Sequence, residues 1–182
     1  MEERLEKYNT KEFKEWIKDI FISIQNAWNE NDLEKLIYLE SSLLFERDAE
    51  MIRANIAANR REVRTSIVVS NIYIREYKKV ENRETLKVEL KASMENFVYD
   101  NFTRGILSGI ADYKKTNKYL MTLGKMGDKE NQTKIKCRSC GAVMNIAASG
   151  KCEYCGSIGY SDLYDWILEE IEVYEEDEEV FH

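Results

Sequence analysis

The spacing of apolar residues changes once along this chain, and the change divides it into a helical first third and a sheet-forming remainder. Phe13, Trp16, Ile17, Ile20, Phe21, Ile24, Ala27 and Trp28 recur at intervals of three and four residues. That period places all eight on one broad face of an amphipathic helix reaching to about Asn29. Asn9 followed by Glu12 reads as a capping box at its start. Asn31-Asp-Leu-Glu34 reads as a second box, opening a short helix through about Glu40. A third helix is expected from about Ser42 to Arg61, with Leu44, Phe45, Met51, Ile52 and Ile56 on its apolar stripe. Arg60, Arg61 and Arg64 would then sit at its C-terminal end, where cations favour the helix dipole.

After Thr65 the period shortens to two. Residues 66–78 are rich in β-branched and aromatic types and read as a strand. Residues 79–84 form a polar turn. Leu86, Val88, Leu90, Ala92 and Met94 then alternate with Lys87, Glu89, Lys91, Ser93 and Glu95, the pattern of a strand with one buried and one wet face. Residues 97–111, with Gly105 and Gly109, read as a long hairpin connection, and residues 113–126 as another strand. Residues 163–174 read as a last strand, although Leu163, Trp166, Ile167 and Ile171 also keep a helical spacing. Helices first and antiparallel strands afterwards imply an α+β domain with the helices on one face of the sheet.

Between the last two strands stand the only four cysteines, in two matching frames: Cys137-Arg-Ser-Cys140-Gly and Cys152-Glu-Tyr-Cys155-Gly. Two thiolates three positions apart on a tight knuckle supply half a tetrahedron, so Cys137, Cys140, Cys152 and Cys155 form a candidate four-thiolate site. The glycine after each pair can take a positive φ, which suits such a knuckle. Four ligands leave no open position for water or substrate, so the metal is expected to be structural Zn2+. Iron with four thiolates stays open, because geometry alone does not separate the two metals. Two disulfides and a redox role for the CxxC pairs are the other readings. Neither pair opens a helix after a core strand, which disfavours the redox one.

Composition narrows function further. With 182 residues and 43% hydrophobic content, one domain plus the cysteine module is the natural count. The single histidine is His182, so neither a histidine base nor a Ser–His pair is available, and an enzyme is not expected. The longest aliphatic runs are far too short to span a membrane. No signal peptide is visible at the charged start, and metal-held thiols fit a cytoplasmic location. From Tyr160 onward there are ten acids and no Lys or Arg, so an acidic end follows a mildly basic body.

The order of elements resembles the Tim44-like domain family, named for an inner-membrane subunit of the mitochondrial protein-import translocase, in the version carried by bacteria. The residues that carry the resemblance are Phe21, Gln25, Ala27 and Trp28, then Asn31-Asp-Leu-Glu-Lys-Leu36, then Ala92-Ser-Met-Glu-Asn-Phe-Val-Tyr-Asp100. Gly150-Lys-Cys-Glu-Tyr-Cys-Gly156 and Tyr164-Asp-Trp-Ile-Leu168 complete it, over roughly residues 10 to 175. It implies a cone-shaped fold related to nuclear transport factor 2 and cystatin, in which three helices cover a curved antiparallel sheet and leave a pocket. It also implies a zinc ribbon inserted before the last strand. The expected organisation is an N-terminal extension at 1–9, the α+β domain at 10–175, the ribbon at 135–158 within it, and an acidic tail at 176–182. The mitochondrial relatives carry a long N-terminal docking region, which this sequence lacks, and no ribbon. The import-motor role is therefore not carried over.

Three functions follow as expectations. The first is a non-enzymatic adaptor that binds a protein partner, in a family whose theme is peripheral contact with membranes or transport systems. The second is a binder of a small apolar ligand or lipid in the cone pocket. The third is nucleic-acid binding through the ribbon, whose Lys134, Lys136, Arg138 and Lys151 are basic. It is not favoured, because no aromatic stacking set accompanies the bases and the chain is acidic overall. Trp16, Phe21 and Trp28 could anchor the first helix at a membrane surface. Residues 1–30, however, hold five bases against seven acids, the wrong balance for anionic lipid, and the stripe is expected to be core.

Overall fold

The computed structural model describes residues 5–126, 135–136, 140–144, 152, 154–156 and 166–176. Helix α1 (Lys11–Glu30) buries every residue of the predicted stripe. Its N-cap is Thr10, one residue later than expected, with the hydroxyl accepting from the Phe13 amide at 3.2 Å. Asn31 does not open the second helix. It closes the first, in the left-handed conformation at φ 55°, where Asn is tolerated. Asp32 instead caps α2 (Leu33–Leu39), accepting from the Lys35 amide at 3.0 Å. Helix α3 (Ser42–Ala57) is shorter than expected. Asn59, at φ 56°, turns the chain out of the helix, and Arg60, Arg61 and Arg64 lie on a strand, not on a helix end. On α3, Leu44 and Ile52 are buried while Met51 and Ile56 are exposed.

The sheet holds β1 (Arg60–Val80), β2 (Arg83–Asp100), β3 (Gly105–Gly109), β4 (Lys115–Met126) and β7 (Ile167–Glu176), all pairing antiparallel in the order β1-β2-β4-β7. The short β5 (Ile135–Lys136) and β6 (Val143–Met144) pair separately. Strand β2 follows its alternation: Leu86, Val88, Leu90, Ala92 and Met94 are buried. Strand β1 starts six residues before the expected position, pairing in unbroken register from Arg60 to Thr65, and its three register shifts come later, between Thr65 and Glu76. The expected connection at 97–111 is largely strand. β2 runs on to Asp100 and β3 returns beside it, leaving a turn at 101–104. The last segment is a strand from Ile167, and residues 157–165 lie outside the described residues.

The core forms where α1 and the start of α3 lie on the inner faces of β2, β4 and β7, through Phe13, Ile17, Phe21, Ile24, Leu90, Met121, Leu123 and Leu168. Trp16, Phe21 and Trp28 are each at most 4% exposed, so this face belongs to the core and is not free for a membrane. Tyr8, in the expected extension, also joins the core, edge-on to Trp166 at 5.5 Å and stacked on Tyr77 at 5.7 Å. No helix among the described residues is long and apolar enough to cross a membrane.

Candidate functional site

The helices do not cover the sheet completely. Between α1, α3 and the far ends of β2, β4 and β7 lies an open groove of about 800 Å³. Its walls include Ile24, Met51, Phe97, Ile110, Tyr113 and Val173. Its floor is a polar network that no sequence pattern identifies. The Arg64 guanidinium lies over the Trp28 ring, 4.1 Å from its centroid, and donates to Gln25 Oε1 at 2.8 Å and to Glu62 Oε1 at 2.7 and 2.9 Å. The Arg64 amide donates to Asn29 Oδ1 at 3.1 Å, which ties β1 to the end of α1. Trp28 Nε1 donates to Asp48 Oδ2 at 3.3 Å, and Arg47 Nε donates to Asp48 Oδ1 at 2.9 Å. The groove's two arginines are therefore matched by two acids. A cation over an indole, flanked by carboxylates, is held in one geometry before anything binds.

Glu40 lies behind Asp48, where α2 gives way to α3. It is 3% exposed, and neither carboxylate oxygen has a hydrogen-bond partner among the described residues. Burial, then the facing Asp48 carboxylate, push its pKa up to about 8 against Arg47 and Arg64, which pull it down. Glu40 makes a parallel bridge to Leu168, and the Ser41 amide donates to the Leu168 carbonyl at 2.7 Å, so this acid sits where β7 meets the helices. A third polar atom, Asn117 Oδ1, is buried in the groove wall with no hydrogen-bond partner among the described residues. Of this network, Gln25 and Trp28 were named in the sequence, both among the residues that carry the family resemblance and Trp28 also on the apolar stripe of α1. Arg64 was read as a helix-end cation, and Asp48, Glu40 and Asn117 look like ordinary polar positions.

The cysteines form a second candidate site. The sulfurs of Cys140, Cys152 and Cys155 all lie within 4.8 Å of one another, with Cys140 and Cys152 at 3.9 Å. A tetrahedral zinc with bonds of about 2.3 Å sets its sulfurs about 3.8 Å apart, which the Cys140–Cys152 separation matches. The same 3.9 Å separation is well beyond a disulfide bond of about 2.05 Å. Gly141 and Gly156 have φ of 75° and 71°, as the knuckle requires, and the Gly156 amide donates to the Cys152 carbonyl at 2.9 Å. Cys137, the fourth expected ligand, lies outside the described residues, as do Lys134, Arg138, Lys151 and the side chain of Lys136. The cluster lies in the region before β7, the last strand.

A family model, the Tim44-like domain, matches residues 1–134. The chain belongs to the Tim44-like domain family. The match ends ahead of the cysteine pairs, short of the expected residue 175, so it covers the three helices and β1 to β4 but neither the cysteines nor β7. The crystal structure of the intermembrane space region of chloroplast protein ARC6 is similar to this Tim44-like chain over 86% of its length and 92% of that chain. The sequence identity is 9% and the TM-score 0.47. No curated protein matches the sequence.

Proposed function

We propose that this Tim44-like domain is a non-enzymatic adaptor, placed in a reducing compartment such as the cytoplasm, that seats part of a protein partner in the groove. The observation that carries the reading is the groove's rim. Met51, Ile110, Tyr113 and Val173 are each 42–51% exposed, and β3 and the turn before it expose Ile106, Leu107 and Phe102 as well. An apolar rim of this extent marks interaction surfaces more than ordinary solvated ones. The arginines beneath it are already matched to Glu62 and Asp48, so the floor supplies shape and orientation and not a free reactive group. The cysteines support the adaptor as a rigid projection. Cys137 would complete the set of Cys140, Cys152 and Cys155 around a structural zinc, whose chemistry there is to fix the knuckles.

The test is capture from lysate with wild type and with an Ile110→Glu, Val173→Lys variant, both substitutions being at exposed wall positions. A partner retained by the wild type and lost by the variant, at unchanged melting temperature, is expected. Recovery of the bait alone across a range of salt would remove the adaptor reading. A volume of about 800 Å³ also supports a second reading, a small apolar ligand or lipid held in the groove. Native mass spectrometry separates the two, because a retained small molecule adds a fixed mass to the intact chain.

A further inference from the structure

The surroundings of Glu40 suit its protonated form and not its ionised one. The side chain is 3% exposed, and as a carboxylate it accepts from no donor among the described residues. As a carboxylic acid it has an acceptor in the facing carboxylate of Asp48, which is equally buried. Asp48 is itself held in place, by Trp28 Nε1 at 3.3 Å and Arg47 Nε at 2.9 Å.

The charged groups that face Glu40 are Asp48 and Arg47 of α3 and Arg64 of β1. α1 meets the pair through the uncharged Trp28, and β7 meets it through the Leu168 backbone. The acids of β7 are placed otherwise: Glu169 pairs with Arg83 at 2.6 Å, and Glu170 and Glu172 are exposed. Neither arginine relieves Glu40 directly, because Arg47 donates to Asp48 and Arg64 donates to Gln25 and Glu62. Losing the proton therefore removes the bond to Asp48 and leaves two carboxylates facing each other out of water.

The backbone tie beside this pair is short. The Ser41 amide donates to the Leu168 carbonyl at 2.7 Å, and Glu40 bridges to Leu168. Leu168 pairs with Leu123 of β4, and a register shift follows before Glu170 pairs with Thr122. That bulge sets Ile167 and Leu168 apart from the rest of β7. The start of the strand can part from the helices, and admit water to both acids, while the pairing beyond the bulge persists. Ile171 to Val173, just beyond it, line the groove, so the junction is the root of one groove wall.

We infer that Glu40 is a proton-operated latch. Its protonated carboxyl, donating to Asp48, holds the start of β7 against the junction of α2 and α3, and loss of the proton releases that start while the rest of the sheet stays paired. The latch needs only this junction and stands apart from the adaptor reading and from whatever the groove receives.

The experiment is hydrogen–deuterium exchange of the full chain from pH 5.5 to pH 7, read by mass spectrometry, with exchange times scaled to the intrinsic amide rate. Over Trp166–Glu170 the opening equilibrium is expected to rise about tenfold for each pH unit, because the opened form releases a proton that the closed form keeps. Leu86–Met94 of β2 should keep its protection throughout. Glu40→Gln should abolish the rise at β7, since the amide donates to Asp48 at every pH. Asp48→Asn should diminish it, because an acceptor remains while the facing charge is gone; this variant decides the matter if Glu40→Gln does not fold. A flat β7 profile in wild type, the same rise in Glu40→Gln, or an undiminished rise in Asp48→Asn overturns the inference. So does an equal rise over Leu86–Met94, which would mean that the whole domain loosens and no local latch exists.

Discussion

Glu40→Gln tests the buried acid at the junction of α2, α3 and β7. The native pKa of about 8 lies far above the 4.5 of an ordinary glutamate. Between those values the folded protein holds a proton that the unfolded chain has released. A raised native pKa gives stability that is complete below about 4.5 and lost as pH rises to about 8. The loss is about 1.4 kcal/mol for each pH unit, or about 5 kcal/mol across the window. Above about 8 the curve flattens, because both states are then ionised at this position. Gln has nearly the same shape and never ionises, so its stability lacks this slope. Groups distant from this site titrate alike in both proteins, so the difference between the two curves reports Glu40 together with the Asp48 that faces it. Urea unfolding followed by tryptophan fluorescence from pH 5 to pH 9 measures it. At pH 5 the variant should lie within about 1 kcal/mol of wild type. At pH 9 it should be more stable by several kcal/mol, with the same m-value. A difference that stays constant across the range would show that Glu40 ionises like a surface carboxylate, and the reasoning would fail. Asp48→Asn should shrink the slope, because it removes the second cause of the raised pKa.

Gly109→Ala should destabilise by about 2 kcal/mol or more, measured by denaturant midpoint. The residue has φ of 79°, and an added Cβ would meet the Asn96 carbonyl and the Phe97 backbone, neither of which can swing aside. Leu90→Ala should cost about 2–5 kcal/mol, since Leu90 is wholly buried under α1; a smaller loss would mean that the core there collapses into the space. Cys155→Ser should reduce bound zinc by inductively coupled plasma mass spectrometry. A chelator should remove the metal from wild type while far-ultraviolet helical signal persists, because α1, the longest helix, packs on β1 and sets Phe21 against Tyr119 of β4, both ahead of the cysteines. Loss of the whole helical signal on chelation would contradict that separation.

Much of the fold was legible because burial is periodic. The α1 stripe and the β2 alternation were recovered residue for residue, since each element lays one face on the same core. The boundaries were harder for local reasons. Asn9 and Thr10 can both cap, and only the chain's path picks the hydroxyl that meets Phe13. β1 escaped at its start because Arg60, Arg61, Glu62 and Arg64 are charged and read as a helix end, and β3 because five residues with glycine at both ends resemble a turn. The cysteine frames announced their chemistry through spacing alone. The groove did not, because its network joins residues up to 39 apart, as in Arg64 and Gln25, and no local pattern marks such a pairing.

The position of the cysteines before β7 also bears on the order in which the chain assembles. β4 and β7 pair across the long intervening stretch 127–166, so β7 is the strand with the furthest to travel among neighbours in the sheet. Loop closure depends only on the logarithm of length. A metal clip from Cys140 to Cys155 would cut the effective loop from roughly 40 to roughly 25 residues and ease closure by only about 0.4 kcal/mol. The cluster is thus a poor accelerator for the last strand. β7 must find its place through its own contacts, among them Glu169, whose carboxylate lies over the side-chain-free Gly124 of β4 to reach Arg83 on β2. The cysteine segment and the sheet can then vary independently.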